Sequence, residues 1–537
     1  MKNRIHIKAC KVSRHLLSGV ILIIFLGLSV YLNSLKGTLF WDDEVTVVNN
    51  IFIRHPIKYL GKIFSASYHS GAGETLNFYR PLTTLFFAFD YQIWRLNPFG
   101  YHLSNITLHI LNGILIFFLL RRIFTNYLLG ICCAILFLVH PINSEAVNYI
   151  SNRSDLLMLF FFLTAFYSYL LYREKGRWFF LLVTLVLYIF SILSKEMGLI
   201  LPFFLLAYEV IYTHKRKLAS LSSFGVVFAG YVILRASLLN FLNINLLTQG
   251  AQVNPYSQDI IFRSLVFAKA FLMYIRLFFL PLNLHMEYDM PYIRSTLDYE
   301  AWAILLFLLS LTVIIFYFGR KKKEIIFGQL WFIFGLLPVS GIIIPINNVI
   351  SEHYLYLGSV GFFIVIIAIF LRLWRNSSSF LKMNMTGLGV VVLVIICTLT
   401  FLRNRDWQNP LNMYLDIIDK TKYSFRAYNN AGVDYFRRGN FEEAEKYFRR
   451  SLEILPTYAE ALNNLGVIYE RRGDFAEAQR LYRESVESKP DYALARKNLA
   501  RIYLRSNKIS EAKKQLEETL KFYPYDSEAQ ILLDLIE

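Results

Sequence analysis

The sequence predicts an all-α chain in two parts, a polytopic helix bundle in a membrane followed by a water-soluble helical solenoid. Three observations carry this. Long apolar runs fill residues 16–402, separated by short polar segments. Residues 403–537 are instead rich in Glu, Arg, Lys and Ala. Within that second stretch the same residue types recur every 34 positions. Over all 537 residues, 55% are hydrophobic and only 18% charged, low for a soluble protein.

The chain opens on MKNRIHIKACKVSRH and an apolar run to Leu35 with no small-residue cleavage site after it, the pattern of a retained signal anchor. A spanning helix needs about 20 largely apolar residues. Candidate runs are 16–35, 102–120, 154–171, 178–193, 218–239, 301–318, 325–344, 354–371 and 386–402, with shorter ones at 127–139 and 199–213. The prediction is therefore eleven spans for a membrane domain over 1–402. The run 262–280 carries Arg263, Lys269 and Arg276. Charge at a bilayer centre is costly, so this run is assigned to the membrane surface or a re-entrant element.

With eleven spans, six basic clusters fall on one side: Lys2 to Arg14, Arg121-Arg122, Arg173 to Arg177, Lys215 to Lys217, Arg320 to Lys323 and Arg372 to Arg375. The N-terminus is then cytoplasmic and the solenoid outside. The net charge of +17 follows from such clusters, which argues against nucleic acid as a partner. Cys10, Cys132, Cys133 and Cys397 form no CxxC pair and no disulfide framework. The outside segments are 36–101, 140–153, 194–198, 240–300 and 345–353. The inside loops are too short for a nucleotide-sugar domain, and there is no Gly-rich phosphate loop. Chemistry belongs on the outer face or at the membrane boundary.

In the repeats, Ala427, Ala461 and Ala495 are in register, as are Asn430, Asn464 and Asn498, Tyr435, Tyr469 and Tyr503, Ala444, Ala478 and Ala512, and Pro456, Pro490 and Pro524. Gly439 and Gly473 recur with Asn507 as the third member. This is the tetratricopeptide (TPR) spacing of helix, turn, helix. Residues 403–425 form a junction and half-repeat, in which Trp407, Tyr414 and Ile418 align with Phe441, Phe448 and Leu452. Three full repeats occupy 426–525, and 526–537 forms a capping helix. Stacked repeats present a concave surface suited to a protein partner, against the alternative of a spacer or dimerisation module.

Candidate chemistry lies in the outer segments. Asp42, Asp43 and Glu44 are consecutive carboxylates just past the first span. A carboxylate there serves as a general base on an acceptor hydroxyl or holds a metal; the bland alternative is a helix cap. Arg80 follows in FYRP, and His102, Asn105 and His109 share one helical face. For His109 a packing hydrogen bond is the preferred reading. Further along stand His140, Glu145, Arg153, Asp155, Lys195, Glu196, Glu352 and His353. Arg and Lys neutralise a phosphate, Arg through a bidentate fork; ion pairs or snorkelling anchors are the alternative. Carboxylates with cations suit transfer from a glycosyl phosphate, with a base on the acceptor and cations on the leaving group.

The stretches WDDEVTVVNN at 41–50, YRPL at 79–82, NPFGYHLSNITLHILN at 97–112, HPINSEAVNYISNRSD at 140–155, SKEMG at 194–198, SEHYLYLGSVGF at 351–362 and RNRDW at 403–407 come in an order that resembles the transmembrane-and-tetratricopeptide-repeat O-mannosyltransferases, of the GT-C glycosyltransferase class. The resemblance implies a GT-C fold and an active site on the lumenal or periplasmic face. It implies a polyprenyl-phosphate sugar donor, mannose in eukaryotic members; the acceptor is then a protein or another periplasmic molecule, and no covalently bound cofactor is expected. It places the catalytic acid at Asp42 or Asp43, with Asp42 favoured as base and Asp43 supporting. The loop 240–300, matching from Asn254-Pro255, resembles the family's outer domain. Three departures stand out: His353 where the family pattern has Arg, only three full repeats, and no ER-retrieval signal at the end of the sequence. They point to a bacterial relative in the cytoplasmic membrane with an undecaprenyl-type donor; a eukaryotic chain would sit in the ER membrane. A non-catalytic membrane scaffold and a lipid-sugar flippase are the competing readings. The scaffold tolerates change at Asp42 and Asp43, and the enzyme does not.

Overall fold

The computed structural model describes residues 2–536 apart from 74–76, 214–217, 238–258, 290–292, 294, 320, 344, 347, 422 and 524–525. The predicted cluster Lys215 to Lys217, Arg320, Pro524, Glu537 and most of the outer loop's first third, with Asn254-Pro255, lie outside the described residues. So do the side chains of residues 1–13. The chain divides into two compact units. The first comprises residues up to Thr38, Tyr59–Ala66 and Tyr79–Gln408; the second comprises Leu39–Lys58, Ser67–Phe78 and Asn409–Glu537.

The first unit is a helix bundle, with no strand among the described residues. Among the described residues, seven of its helices are long and apolar enough to cross a membrane: Arg14–Lys36, Pro98–Phe124, Ile150–Lys175, Ser220–Ser237, Tyr299–Gly319, Glu352–Asn376 and Ser379–Asp406. Each covers one of the eleven predicted spans. The other four form shorter helices: Tyr127–Val139, Trp178–Ser194, Leu201–Tyr212 and Lys323–Leu336. Local breaks shorten three of them. Tyr127–Val139 stops at His140-Pro141 and turns by 58° into Pro141–Asn148. Leu201–Tyr212 starts only after the 3-10 turn Glu196–Ile200. Lys323–Leu336 gives way to a 3-10 turn holding Pro338. The ambiguous run 262–280 is an unbroken 20-residue helix, Ile260–Phe279, with Phe262, Arg263, Leu265, Tyr274 and Phe278 buried.

The core is aromatic. Trp331 stacks parallel to Phe166 at 6.0 Å between centroids and meets Phe204 edge-on at 4.8 Å. Helices Lys323–Leu336 and Leu355–Asn376 meet backbone to backbone through Gly328, Gly335, Gly358 and Gly361. A Cβ at Gly361 would strike the Phe332 nitrogen and the Gly328 carbonyl oxygen. Without a hydrophobic drive between helices in lipid, such small-residue contacts supply the packing.

In the second unit the period becomes three helix pairs: Phe425–Arg437 with Phe441–Ile454, Ala459–Arg472 with Phe475–Ser488, and Ala493–Arg505 with Ile509–Phe522. The turn between the helices of a pair needs a left-handed residue. Gly439, Gly473 and Asn507 supply it at φ 80°, 86° and 55°, so Asn can stand for Gly. Asn440 and Asp474 cap the second helices by accepting the Glu443 and Glu477 amides. The in-register alanines are wholly buried where paired helices touch. Amides tie repeat to repeat, Asn464 donating to Asn429 and Asn498 to Asn463, each at 2.9 Å. Helix Pro410–Lys420 precedes the array, and Ser527–Asp534 packs on its end.

Because the Gly361 contact leaves no room, Gly361→Val should lower stability by about 1–3 kcal/mol through overpacking. Thermal unfolding in detergent would read this as a drop in Tm, with the repeats of the second unit unaffected.

Candidate functional site

The acidic run lies in the second unit. Trp41 takes a left-handed φ of 57°, uncommon for a bulky residue. The chain then enters a short helix, Glu44–Val48, whose bonds reach five residues. The Asp42 carbonyl accepts from the Thr46 amide at 2.8 Å and the Thr46 hydroxyl at 2.9 Å. The Asp42 side chain is exposed, whereas Asp43 is wholly buried and accepts the Phe40 amide at 3.3 Å. Adjacent carboxylates thus have unlike surroundings. Glu44, expected at the substrate, is instead paired with Arg437 at 2.5 Å.

The remaining candidates lie in the first unit and fall into three groups. In the first group, Arg80 Nε meets Glu196 Oε2 at 3.3 Å and its Nη1 reaches Ser154 Oγ at 3.4 Å. The Tyr79 amide donates to the other Glu196 oxygen at 3.1 Å, and Arg235 lies 3.9 Å from it. Lys195 Nζ donates to Asp155 at 2.7 Å. Burial works against the Glu196 carboxylate, but Arg80, Arg235 and backbone N–H groups outweigh it and hold the carboxyl below its ordinary range. Burial lowers the Lys195 ammonium, with Asp155 opposing. Among the described residues, the cations Arg80, Lys195 and Arg235 here face the carboxylates Glu196 and Asp155.

In the second group, Arg153 is bound on three sides within the bundle. Its Nε donates to Asn105 Oδ1 at 2.8 Å, Nη1 to Asp90 at 2.5 Å, and Nη2 to the Tyr101 carbonyl at 2.9 Å. The guanidinium is 1% exposed, over the Phe87 ring at 4.5 Å. Every nitrogen is committed, so no fork remains for an anion. Asp155 is paired with Lys195. His140 is also bonded through both ring nitrogens. Its Nε2 meets the Phe278 carbonyl at 3.0 Å and its Nδ1 accepts the Ile142 amide at 3.2 Å, capping the turn Pro141–Asn143. His102 is buried against Gly37, where any Cβ would strike its ring. His109 bonds the Tyr356 hydroxyl at 2.8 Å and the Leu138 carbonyl at 2.9 Å.

The third group joins Glu145 to the segment 351–353. Glu145 Oε1 meets His353 Nδ1 at 2.6 Å and accepts the Ser351 hydroxyl at 3.1 Å. Its Oε2 accepts the Glu352 and His353 amides at 3.0 and 3.3 Å. Glu145 therefore caps the turn Glu352–Tyr354. Glu352 is wholly buried and accepts the Tyr288 hydroxyl at 2.8 Å. Burial and the Glu352 charge push the Tyr288 hydroxyl well above its usual range, so it stays a donor. Arg403 supplies positive charge to Glu352 and pairs with Asp406 at 3.1 Å.

Sequence reasoning missed Asp90, Arg235, Tyr288 and Arg403 as partners. Asp90 was visible as the lone acid inside an apolar helix, Pro81–Trp94. Arg403 stood in the RNRDW motif, read only as a junction. Tyr288 carried no signal. Among the described residues, no three His, Cys, Asp or Glu converge as metal ligands.

Fold and motifs together define a polytopic, all-helical membrane protein carrying tetratricopeptide repeats. Two family models, both described as tetratricopeptide repeat, match residues 423–491 and 470–536. The chain is homologous to proteins named protein O-mannosyl-transferase. It is 27% identical to Protein O-mannosyl-transferase F38B6.6 of Caenorhabditis elegans over 450 residues, 82% of this chain and 63% of that protein. It is 27% identical to Protein O-mannosyl-transferase TMTC3 of Homo sapiens over 483 residues, 82% and 52% of the two chains. Human Protein O-mannosyl-transferase TMTC1 is 25% identical over 484 residues, 80% and 54%. The chain thus spans between half and two thirds of the length of these relatives.

Removing Arg153 would leave Asp90 buried and unpaired. Arg153→Ala should cost about 3–5 kcal/mol, seen as a large fall in Tm or loss of folded yield. The Glu196 carboxyl, held low, contributes stability above the ordinary pKa near 4.5 and loses it as pH falls through its folded value. The Tm deficit of Glu196→Gln should therefore stay level from pH 7 to about pH 5 and shrink below about pH 4.

Proposed function

We propose that this protein is a membrane O-mannosyltransferase. It moves a mannose-like sugar from a polyprenyl-phosphate carrier to a hydroxyl of a protein acceptor on the non-cytoplasmic face. The observation that supports this most is a similarity running through both the membrane part and the repeats to proteins named protein O-mannosyl-transferases. The basic clusters favour a cytoplasmic N-terminus, which puts the acidic run outside. The repeats supply the surface that recruits the acceptor or a partner.

In this reading Asp42, whose side chain is exposed, removes the acceptor hydroxyl proton. The oxygen then attacks the sugar's anomeric carbon, the bond from that carbon to the phosphate oxygen breaks, and the polyprenyl phosphate leaves. Asp43, buried beside it, holds the loop through its bond from the Phe40 amide. In the membrane unit, the cations Arg80, Lys195 and Arg235 suit an anionic phosphate group. His353, partly exposed where the resemblance leads one to expect Arg, gives a weaker contact.

The test is sugar transfer by purified protein in proteoliposomes, with radiolabelled polyprenyl-phosphate mannose and a pool of acceptor proteins. Asp42→Asn should lower kcat about 100-fold or more, as expected for loss of a general base. Equal transfer by Asp42→Asn and the Asp42→Asn, Asp43→Asn double variant to that of the parent would reject this assignment of the base. Transfer by neither parent nor variants, across several lipid-linked sugars, would favour the scaffold.

A further inference from the structure

We propose that the first helices of the repeat array are the positioning frame of the Asp42-Asp43 loop, through Tyr414 and Arg437. The proposal rests on the reading of Asp42 as base and names what sets that residue's place.

A five-residue helix cannot hold itself in water, because nucleation fixes several dihedrals for one bond. Glu44–Val48 is such a helix, and it follows Trp41 in a left-handed conformation that most bulky residues avoid. The loop's shape must therefore come from what it packs on. Within its own compact unit that is the start of the solenoid. Tyr414, on helix Pro410–Lys420, meets both Phe40 and Trp41, at 6.2 and 5.6 Å between ring centroids. Arg426, on the first repeat helix, lies over the Trp41 ring at 5.9 Å. Arg437, at the other end of that helix, holds Glu44 at 2.5 Å.

These contacts grip the residues on either side of Asp42 and Asp43 and leave the Asp42 side chain itself exposed. A second contact lies at the far end of the array, where Tyr523 packs against Gly73, a left-handed glycine with its would-be Cβ 3.3 Å from the ring. Segments 39–58 and 67–78 are thus part of the repeat unit, although the chain enters them straight from the first span. A solenoid used only to recruit acceptors would need none of these contacts.

Tyr414 and Arg437 are positioning residues, and they touch no reacting atom. Their test uses the full-length protein in proteoliposomes, with two readouts: hydrogen exchange of the amides at 39–50, and kcat and KM for the lipid-linked sugar. Arg437→Glu sets two carboxylates against each other. It should speed exchange at 43–48 and lower kcat about fivefold, the upper range for an exposed pair, with KM for the donor unchanged. The swap Glu44→Arg with Arg437→Glu should restore both. Tyr414→Phe keeps the ring and should match the parent, while Tyr414→Ala should lower kcat by tenfold or more.

Unchanged exchange and kcat in both Arg437→Glu and Tyr414→Ala, in an active parent, would overturn the frame while leaving Asp42 as base. Failure of the charge swap to restore kcat would also overturn it. A parent inactive with every donor would instead bring down the reading of Asp42, and this proposal with it.

Discussion

Charge buried in an apolar bundle must be spent on charge, and Arg153 shows what that constraint builds. Its guanidinium takes Asp90 from one helix and Asn105 and the Tyr101 carbonyl from another. Those bonds fix the start of the helix Arg153–Lys175. The next two residues then face their own partners, Ser154 toward Arg80 and Asp155 toward Lys195. The cationic group proposed to meet phosphate is thus set in place by a cation that cannot meet it.

A similar economy governs the backbone. Helix Tyr127–Val139 ends at Pro141, so the chain at 140–152 must find hydrogen-bond partners outside a regular helix. Asparagines supply them. Asn105 donates to the Val147 carbonyl at 3.1 Å, Asn143 to Phe137 at 2.7 Å, and Asn148 to Asn404 at 2.7 Å. Asn404 passes the connection on to the Val30 carbonyl at 2.9 Å. Glu145 does the same for the turn at 352–354. Many of the polar residues that stand out in the outer segments are therefore scaffolding for irregular backbone, and the residues left for chemistry are few.

That division was only partly legible in the sequence. The TPR period carried the repeat helices and their left-handed turns, because each repeat is a local unit with its own signals at Gly439, Gly473 and Asn507. The long spans were legible for the same reason: length and apolarity are properties of a single run. The short helices at 201–212 and 323–336 were overestimated, since hydropathy adds across a 3-10 turn that the backbone does not bridge. Roles at the site were the least legible. Arg80 and Arg153 look alike in sequence, yet one keeps partial exposure and the other has no free nitrogen.

The sequence by itself determined that the chain is helical, that it is built for a membrane followed by water, and that its second part repeats every 34 residues. Such features depend on composition and period along the chain. The tertiary structure alone decided which charged residues are consumed and which stay available, because pairing joins positions as distant as Glu145 and His353. It alone decided that the acidic run after the first span packs as part of the repeat unit. Contacts such as Trp41 with Tyr414 arise from packing between segments far apart in sequence, and no local pattern encodes them.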